Sequence, residues 1–255
     1  MNDVKDYRKS ELKNYVIIHI LAFACIHDYF PTLRCGDKTE ILLALVNLIL
    51  PMSAIYVYIF ILDAIVPSNL KSEICNACYG CKCALFPKFL KKFYHSIVLR
   101  YKSFINKLWI PFPEETVFDD IKNDRIIDKR FTTEEAKKKY KEELKQLEEL
   151  DDSQSKQKSK SMWHRIYTKY EKEATVLITY RDYLLCRDLC VITLLIMISY
   201  LFFIMYLCCS KVPITIWKIL CIFAFLFFEM FVAATATRVK QERLVWNVIS
   251  TDIHH

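Results

Sequence analysis

The sequence contains very little glycine, and this scarcity excludes several classes of enzyme. Only Gly36 and Gly80 occur in 255 residues. Phosphate-binding loops and dinucleotide-binding turns need several glycines, because only a backbone without side chains approaches a phosphate closely. The GxSxG, HExxH and EF-hand motifs are also missing from the sequence. We therefore expect a protein that is not an enzyme and that needs no cofactor.

Charge and apolar residues are both abundant but are separated along the chain. Apolar residues make up 54% of the sequence and charged residues 25%. The charge is concentrated between residues 67 and 182, and long apolar runs flank it. Because roughly 20 apolar residues cross a bilayer core, we predict four transmembrane spans. They are Tyr15–Phe30, Ile41–Val66, Leu189–Cys209 and Ile214–Ala236.

These spans predict an all-α integral membrane protein with four transmembrane helices in two hairpins and a helical cytosolic middle region. Orientation follows from lysine and arginine, of which 24 lie in 67–182 and only two in 31–40. The predicted parts are a cytosolic N-terminus (1–14), a first hairpin (15–66), a cytosolic basic region (67–182), a second hairpin (183–236) and a cytosolic tail (237–255). This gives a multi-pass protein of the plasma (inner) membrane with both termini cytosolic. The first segment is short and polar, so an interfacial or re-entrant helix is the alternative there.

The predicted cytosolic region contains several local signals. Thr132 and Glu135 have the spacing of a capping box, which predicts a charged, weakly packed or exposed helix running to about Leu150. The polar segment 151–161 predicts a flexible linker. From Trp163 onward, the helical spacing of apolar residues predicts one long helix that continues into the third span.

A basic, apolar-rich stretch follows the second span at Leu85–Trp109. It is typical of a helix that lies on a membrane surface among anionic headgroups. A second interpretation is docking of an anionic nucleotide or oligonucleotide. The residues expected to contact either kind of anion are Lys88, Lys91, Lys92, Arg100 and Lys102.

Ionisable residues near the cytosolic ends of the spans are candidates for a gate or an ion path. They are Asp63, Arg187, Asp188 and Glu229. Charged groups are costly in lipid, and carboxylates that face a bundle axis favour cations. The alternative is a structural salt bridge whose members reach water at the ends of the spans.

Other polar residues in the spans are His19, His27 and Asp28, which we assign to the outer side, and Asn47, which interrupts the second span. These residues suggest either a proton relay or, more simply, hydrogen bonds between helices.

A third candidate site is the cysteine cluster Cys75, Cys78, Cys81 and Cys83, part of eleven cysteines in the chain. Its spacing suggests a metal site, but four thiolates within nine residues would wrap one ion only with strain. Reduced, unbound thiols are the alternative, since the predicted compartment is reducing.

Three runs of the sequence carry a resemblance to a known family. They are YIFILDAIVPSNLK (Tyr58–Lys71), TYRDYLLCRDLCVITLL (Thr179–Leu195) and ATRVKQERLVWNVIS (Ala236–Ser250). In these runs and in its layout, the chain resembles the four-span transmembrane effectors of Hailong-type bacterial antiphage defence systems. The resemblance implies an oligomeric channel or membrane-disrupting effector, held inactive until a partner enzyme makes a nucleic-acid-like signal.

The functional expectation is therefore an oligomeric membrane effector or ion channel, gated by a cytosolic ligand or partner. Its expected partners are the lipid bilayer, further copies of the chain, and an anionic nucleotide or oligonucleotide or the enzyme that makes it. The alternative is a non-conducting membrane adaptor whose cytosolic helices recruit a soluble partner.

Overall fold

The computed structural model describes residues 2–26, 57, 60–61, 64–90, 111–125, 130–209 and 215–255. In these residues the chain forms eight helices and no strand, so the helical class predicted from the sequence is confirmed for this part. The helices are α1 (Asn2–Ile26), α2 (Ser68–Leu90), α3 (Pro113–Lys122), α4 (Thr133–Lys139), α5 (Lys141–Glu148), α6 (Asp152–Tyr170), α7 (Ala174–Cys209) and α8 (Ile216–His254).

Two helices, α7 and α8, are long and apolar enough to cross a membrane. They contain 36 and 39 residues, and their most apolar 18-residue windows have mean hydropathies of 2.5 and 2.3. A core helix of a soluble protein would have such a window mostly buried. Here only 33% and 22% of the residues in the two windows are buried, and the others are partly or fully exposed. This composition and exposure fit a lipid environment for the third and fourth predicted segments.

The first two predicted spans are only partly described. Helix α1 begins at Asn2 and includes Tyr15–Ile26, whereas residues 27–30 lie outside the described part. Most of the predicted span Ile41–Val66 and the turn at 210–214 also lie outside it. The structure therefore leaves the four-span arrangement as a prediction.

The chain divides into two compact units. Unit 1 comprises Met1–Cys75 and Arg187–Ala233, and unit 2 comprises Asn76–Cys186 and Ala234–His255. In unit 1, α1, α7 and α8 each bury one stripe of side chains at helical spacing. Ring contacts join the helices: Phe23 lies 5.1 Å from Tyr200, whose ring is 5.4 Å from Phe223, measured between centroids.

Unit 2 has its own hydrophobic core. Helix α3 packs mainly against α6 and buries Val117, Phe118 and Ile121. The part of α8 beyond Ala233 contributes Val245, Val248 and Ile249, each no more than 1% exposed. Side chains from α4, α5, α6 and the first turns of α7 complete the core. Unit 2 is thus a packed helical body.

Four hydrogen bonds spaced along α8 tie it to other segments of unit 2. Each uses a polar side chain of α8 as donor, so these polar groups are satisfied within the packed body. The bonds are Arg238 Nη1 to the Pro111 carbonyl (2.7 Å), Lys240 Nζ to Asp182 Oδ2 (2.7 Å), Gln241 Nε2 to Glu114 Oε2 (2.9 Å) and Asn247 Nδ2 to Thr179 Oγ1 (2.6 Å).

The capping box predicted at Thr132 is confirmed. Its side chain accepts a hydrogen bond from the Glu135 backbone, and the Glu135 carboxylate accepts one from the Thr132 backbone. The helix, however, ends at Lys139, and a second one begins at Lys141. It is also better packed than the sequence suggested. Its few apolar residues share one face, so Ala136 and Tyr140 are both buried in the core.

The segment 151–161, for which the sequence predicts a flexible linker, lies instead in helix α6. Its lysine and glutamine residues are good helix formers, so propensity permits this conformation. Ser155 and Ser159 are buried, and the Ser159 hydroxyl donates a hydrogen bond to the Glu114 carbonyl on α3 (3.2 Å). Small side chains at this spacing let α3 and α6 approach closely. The polar composition reflects a helix contact and not a linker.

The long helix predicted from Trp163 into the third span is interrupted between Tyr170 and Ala174. On an unbroken helix, Tyr170 and Val176 would lie about 120° apart around the axis, because each residue turns the chain by about 100°. Both side chains are nevertheless buried in the same core. The interruption lets both of them reach it.

A matched pair of valines on α8 tests the core of unit 2. Val248 is fully buried and Val239 is 48% exposed. We expect Val248→Ala to destabilise unit 2 by about 2 kcal/mol, because it removes buried methyl groups and leaves a cavity. Val239→Ala should change the stability by less than about 0.5 kcal/mol. Denaturant unfolding of the detergent-solubilised protein, followed by tryptophan fluorescence, measures both. Equal effects would contradict the packing described for α8.

Candidate functional site

A polar cluster lies within unit 1 where α1 meets α7 and α8. His19 Nε2 is 2.6 Å from Glu229 Oε2, and its Nδ1 is 2.9 Å from the Tyr15 carbonyl oxygen. The Tyr15 hydroxyl lies 2.7 Å from Thr193 Oγ1 and 3.1 Å from Glu229 Oε2. Three helices therefore share one hydrogen-bonded network. We call these four residues the His19–Glu229 cluster.

The surroundings of this cluster are apolar. The side chain of His19 is 6% exposed and that of Glu229 is 23% exposed. The imidazole ring lies 6.1 Å from the ring of Phe23 and 6.2 Å from that of Phe225. Glu229 belongs to the apolar part of α8, where an ionisable group is costly unless another group satisfies it. His19 and Tyr15 satisfy it here.

A second polar cluster in unit 1 joins the first turn of α2 to α7. Arg187 Nε and Nη2 both donate to Asp188 Oδ1, at 3.2 and 3.0 Å, and Arg187 Nη1 donates to Ser68 Oγ at 2.7 Å. Lys71 Nζ lies 4.0 Å from the same Asp188 oxygen. The Cys75 thiol donates to the Arg187 carbonyl oxygen at 3.3 Å. We call these residues the Asp188 cluster.

The Asp188 cluster is almost closed to solvent. The side chains of Asp188, Arg187 and Lys71 are 0%, 6% and 9% exposed. Two basic side chains face one carboxylate, and the Ser68 hydroxyl accepts a hydrogen bond from the guanidinium. Burial of such a group costs several kcal/mol per ion, which the pairing must offset. The arrangement holds α2 to α7.

The structure distributes the predicted gate residues over these two clusters. Arg187 and Asp188 are together, whereas Glu229 pairs with His19, which the sequence analysis had grouped with the outer polar set. Along α7, Asp188 and Thr193 are five residues apart, about 7.5 Å. Tyr15, Thr193, Ser68 and Lys71 were not singled out from the sequence. The sequence signal among these four residues is the spacing of Tyr15, which precedes His19 by four residues and therefore shares one face of α1 with it.

Several predicted site residues lie outside the described residues. They are Asp63, His27, Asp28, Asn47, Lys91, Lys92, Arg100 and Lys102. Lys88 lies in α2, but its side chain is not described. The gate contribution of Asp63, the remaining outer polar set and the anion-binding stretch therefore stay predictions.

The cysteine cluster lies on one helix, α2. A helix places Cys75 and Cys81 about 120° apart around its axis, which is unfavourable for ligands of one ion. Cys75 is buried and donates to the Arg187 carbonyl oxygen. Among the described residues, no group of three or more His, Cys, Asp or Glu side chains could hold a metal ion. The side chains of Cys81 and Cys83 are outside that set, so the four-cysteine site itself stays a hypothesis.

Large apolar side chains project outward from α7 and α8 in unit 1. They are too numerous for a water-exposed surface and typical of a surface that faces lipid or another protein. On α7 they are Leu201, Phe202, Met205 and Tyr206, and on α8 they are Trp217, Leu220, Phe225 and Phe228.

Unit 2 contains a polar network around Asp252 near the end of α8. The Tyr140 hydroxyl donates to Asp252 Oδ2 at 2.8 Å, and Lys169 Nζ donates to Oδ1 at 3.3 Å. Lys139 Nζ donates to the Asp252 carbonyl oxygen at 2.6 Å. Burial opposes ionisation of Asp252, but the Tyr140 hydrogen bond and the two lysines outweigh it and lower its pKa. Burial and the Asp252 charge raise the pKa of Tyr140, which keeps its hydroxyl a donor.

No protein-family model, curated protein or solved structure matches this chain. Its function must therefore be argued from its own residues.

The Asp188 cluster gives a prediction with a matched control on the same helix. Asp188→Asn removes the carboxylate that faces two buried basic side chains, and we expect it to destabilise the protein by about 3–5 kcal/mol. Asp182 makes a partly exposed ion pair with Lys240, and Asp182→Asn should cost less than about 1 kcal/mol. Thermal unfolding of the purified variants in detergent compares them. Equal stabilities would show that Asp188 does not hold α2 to α7.

The network around Asp252 predicts a defined acid sensitivity of unit 2. A lowered pKa means that the carboxylate stabilises the fold above its ordinary value of 3.8, and that this contribution disappears as the pH falls through the lower folded value. Asp252→Asn should remove this acid-dependent part of the stability. The exposed Asp124, paired with Lys137, provides the control variant Asp124→Asn. The free energy of unfolding of both variants is measured as a function of pH. If Asp252→Asn loses stability at acidic pH as steeply as the wild type, Asp252 is not the source of the acid sensitivity.

Proposed function

We propose that this protein is an oligomeric membrane effector or ion channel, gated by a ligand or partner that binds its cytosolic region. The observation that carries the proposal is the Glu229 carboxylate, which lies on an apolar helix and is held by His19 and Tyr15 of another. Ionisable groups at such positions are rare and mark ion or proton paths in membrane proteins. The outward-facing apolar side chains of α7 and α8 supply the surface that lipid requires.

A path for ions would need more than one copy of the chain. Four spans of one small chain hardly enclose a channel, and symmetric assembly is the usual solution. In this proposal, Glu229 faces the path where copies meet, since its side chain is 23% exposed in the single chain.

The proposed topology has both termini in the cytosol of a bacterial cell, with unit 2 as the receiving part. Positive charge supports this arrangement, since the whole chain has a net charge of +7 and most of its basic residues fall between residues 67 and 182. The same charge would attract an anionic nucleotide or oligonucleotide. A role in antiphage defence rests solely on the sequence resemblance given above.

Ion flux in liposomes tests the proposal. We expect purified protein to dissipate a potassium gradient, reported by a potential-sensitive dye, with ATP or short oligonucleotides added as anionic probes. Glu229→Gln should reduce the flux severalfold, because a neutral amide attracts cations less strongly. Glu242→Gln, on the same helix but ion-paired with Arg238 in unit 2, is the matched control.

Two results would overturn the proposal or part of it. Absence of flux at every protein density, with and without the probes, would remove conduction. Flux that is the same in Glu229→Gln and Glu242→Gln would remove Glu229 from the path while leaving conduction in place.

A second candidate function is a non-conducting membrane adaptor. The packed core of unit 2 favours it, since such a body can present a fixed surface to a soluble partner. The adaptor predicts stable capture of a soluble protein by the full-length chain together with no flux in liposomes. Flux with no captured partner would exclude it.

A further inference from the structure

The hydrogen bond at one nitrogen of His19 fixes where its proton lies. Nδ1 is 2.9 Å from the Tyr15 carbonyl oxygen. A carbonyl oxygen has no hydrogen to give, so in this contact Nδ1 must be the donor and must carry a proton. The tautomer of the imidazole follows from the geometry.

The other nitrogen then requires a second proton. His19 Nε2 is 2.6 Å from Glu229 Oε2. If His19 were neutral and Glu229 ionised, a nitrogen lone pair would face a carboxylate oxygen at this distance, which is repulsive. One hydrogen must lie between the two atoms. The pair is either an imidazolium with a carboxylate or a neutral imidazole with a carboxylic acid.

Both permitted forms contain the same number of protons and are neutral as a pair. Loss of the shared proton would leave one negative charge, and gain of another would leave one positive charge. Either charge would be placed among Phe23, Phe225 and the apolar stripes of three helices, where it is costly. The surroundings therefore favour the state with one shared proton.

The other ionisable groups of unit 1 near this pair do not replace that proton. Tyr15 and Thr193 contribute hydroxyls, and Cys190 on α7 donates its thiol to the Met230 carbonyl oxygen at 3.8 Å. Arg187, Asp188 and Lys71 interact with one another in the Asp188 cluster. No described basic side chain other than His19 lies within ion-pair distance of Glu229.

We propose that His19 and Glu229 form a binding site for one proton, and that this proton attaches α1 to α8. The proton comes from solvent and returns to it, and no covalent bond between heavy atoms changes. The site goes beyond the proposed function, since it does not require that the protein conducts ions. It predicts that alkaline conditions, which remove the shared proton, loosen α1 from its neighbours.

The hydroxyls extend the site to α7. Thr193 Oγ1 lies 2.8 Å from the Leu189 carbonyl oxygen and can donate to it. Tyr15 has one hydrogen, which it can direct to Thr193 Oγ1 or to Glu229 Oε2. An ionised Glu229 favours donation from Tyr15, so the direction of this short chain depends on which member of the pair holds the proton.

Infrared difference spectroscopy of the full-length protein in lipid nanodiscs tests the site. On a step from neutral to alkaline pH, we expect an imidazole signal and a carboxyl signal to change together in the wild type. Both should be lost in His19→Gln and in Glu229→Gln, and both should remain in the control Glu242→Gln. Isotope labelling of histidine assigns the imidazole signal.

Stability provides a second measurement that does not depend on the spectra. If the two residues act as one site, the effects of the two substitutions on stability should not add. The double variant His19→Gln/Glu229→Gln should then be no less stable than the less stable of the two single variants. Destabilisation at alkaline pH should be present in the wild type and lost in both single variants.

Three outcomes would overturn the inference. They are a carboxyl signal that persists unchanged in His19→Gln, additive destabilisation in the double variant, and a wild type without any pH-dependent imidazole or carboxyl signal. The last needs no variant, so it applies even if the substitutions prevent folding. Because none of these measurements uses ion flux, a failure of conduction and a failure of the proton site are distinguishable.

Discussion

The contact between His19 and Glu229 is the interaction on which the packing of unit 1 depends most. Without it, α8 would carry an unbalanced carboxylate in its apolar part, and α1 would bring a polar ring into contact with phenylalanines. Joined at 2.6 Å, the two groups satisfy each other and fix the height of α1 against α8. The apolar stripes hold the three helices together but do not fix how far one helix lies along another. The pair of His19 and Glu229 fixes that position for α1 and α8.

The sequence predicted the parts of the fold that depend on local periodicity and composition. The apolar runs in 189–209 and 214–236 indicated long helices, and the structure has α7 and α8 there. The capping box at Thr132 was correct because it involves only neighbouring backbone groups. The break after Tyr170 was missed because no proline or glycine marks it. Its cause is a shared core formed with residues far along the chain.

The candidate site was harder to predict than the helices. Charge in an apolar segment identified Arg187, Asp188 and Glu229, since hydrophobicity alone makes such residues unusual. Their partners could not be predicted in the same way. Lys71 and Asp188 are more than one hundred positions apart, as are His19 and Glu229, and a single sequence has no signal that links them. Lys71 also follows the second predicted span, where a lysine is ordinary and attracts no attention.

Each of the two polar clusters of unit 1 satisfies a carboxylate that is largely removed from solvent, but the partner groups differ. Asp188 is fully buried and faces the guanidinium of Arg187 and the ammonium of Lys71. Glu229 instead faces the imidazole of His19, whose Nε2 lies 2.6 Å from its carboxylate. In the proton site proposed above, the imidazole makes the attachment of α1 to α8 depend on a shared proton, whereas a guanidinium and an ammonium group hold the carboxylate that joins α2 to α7.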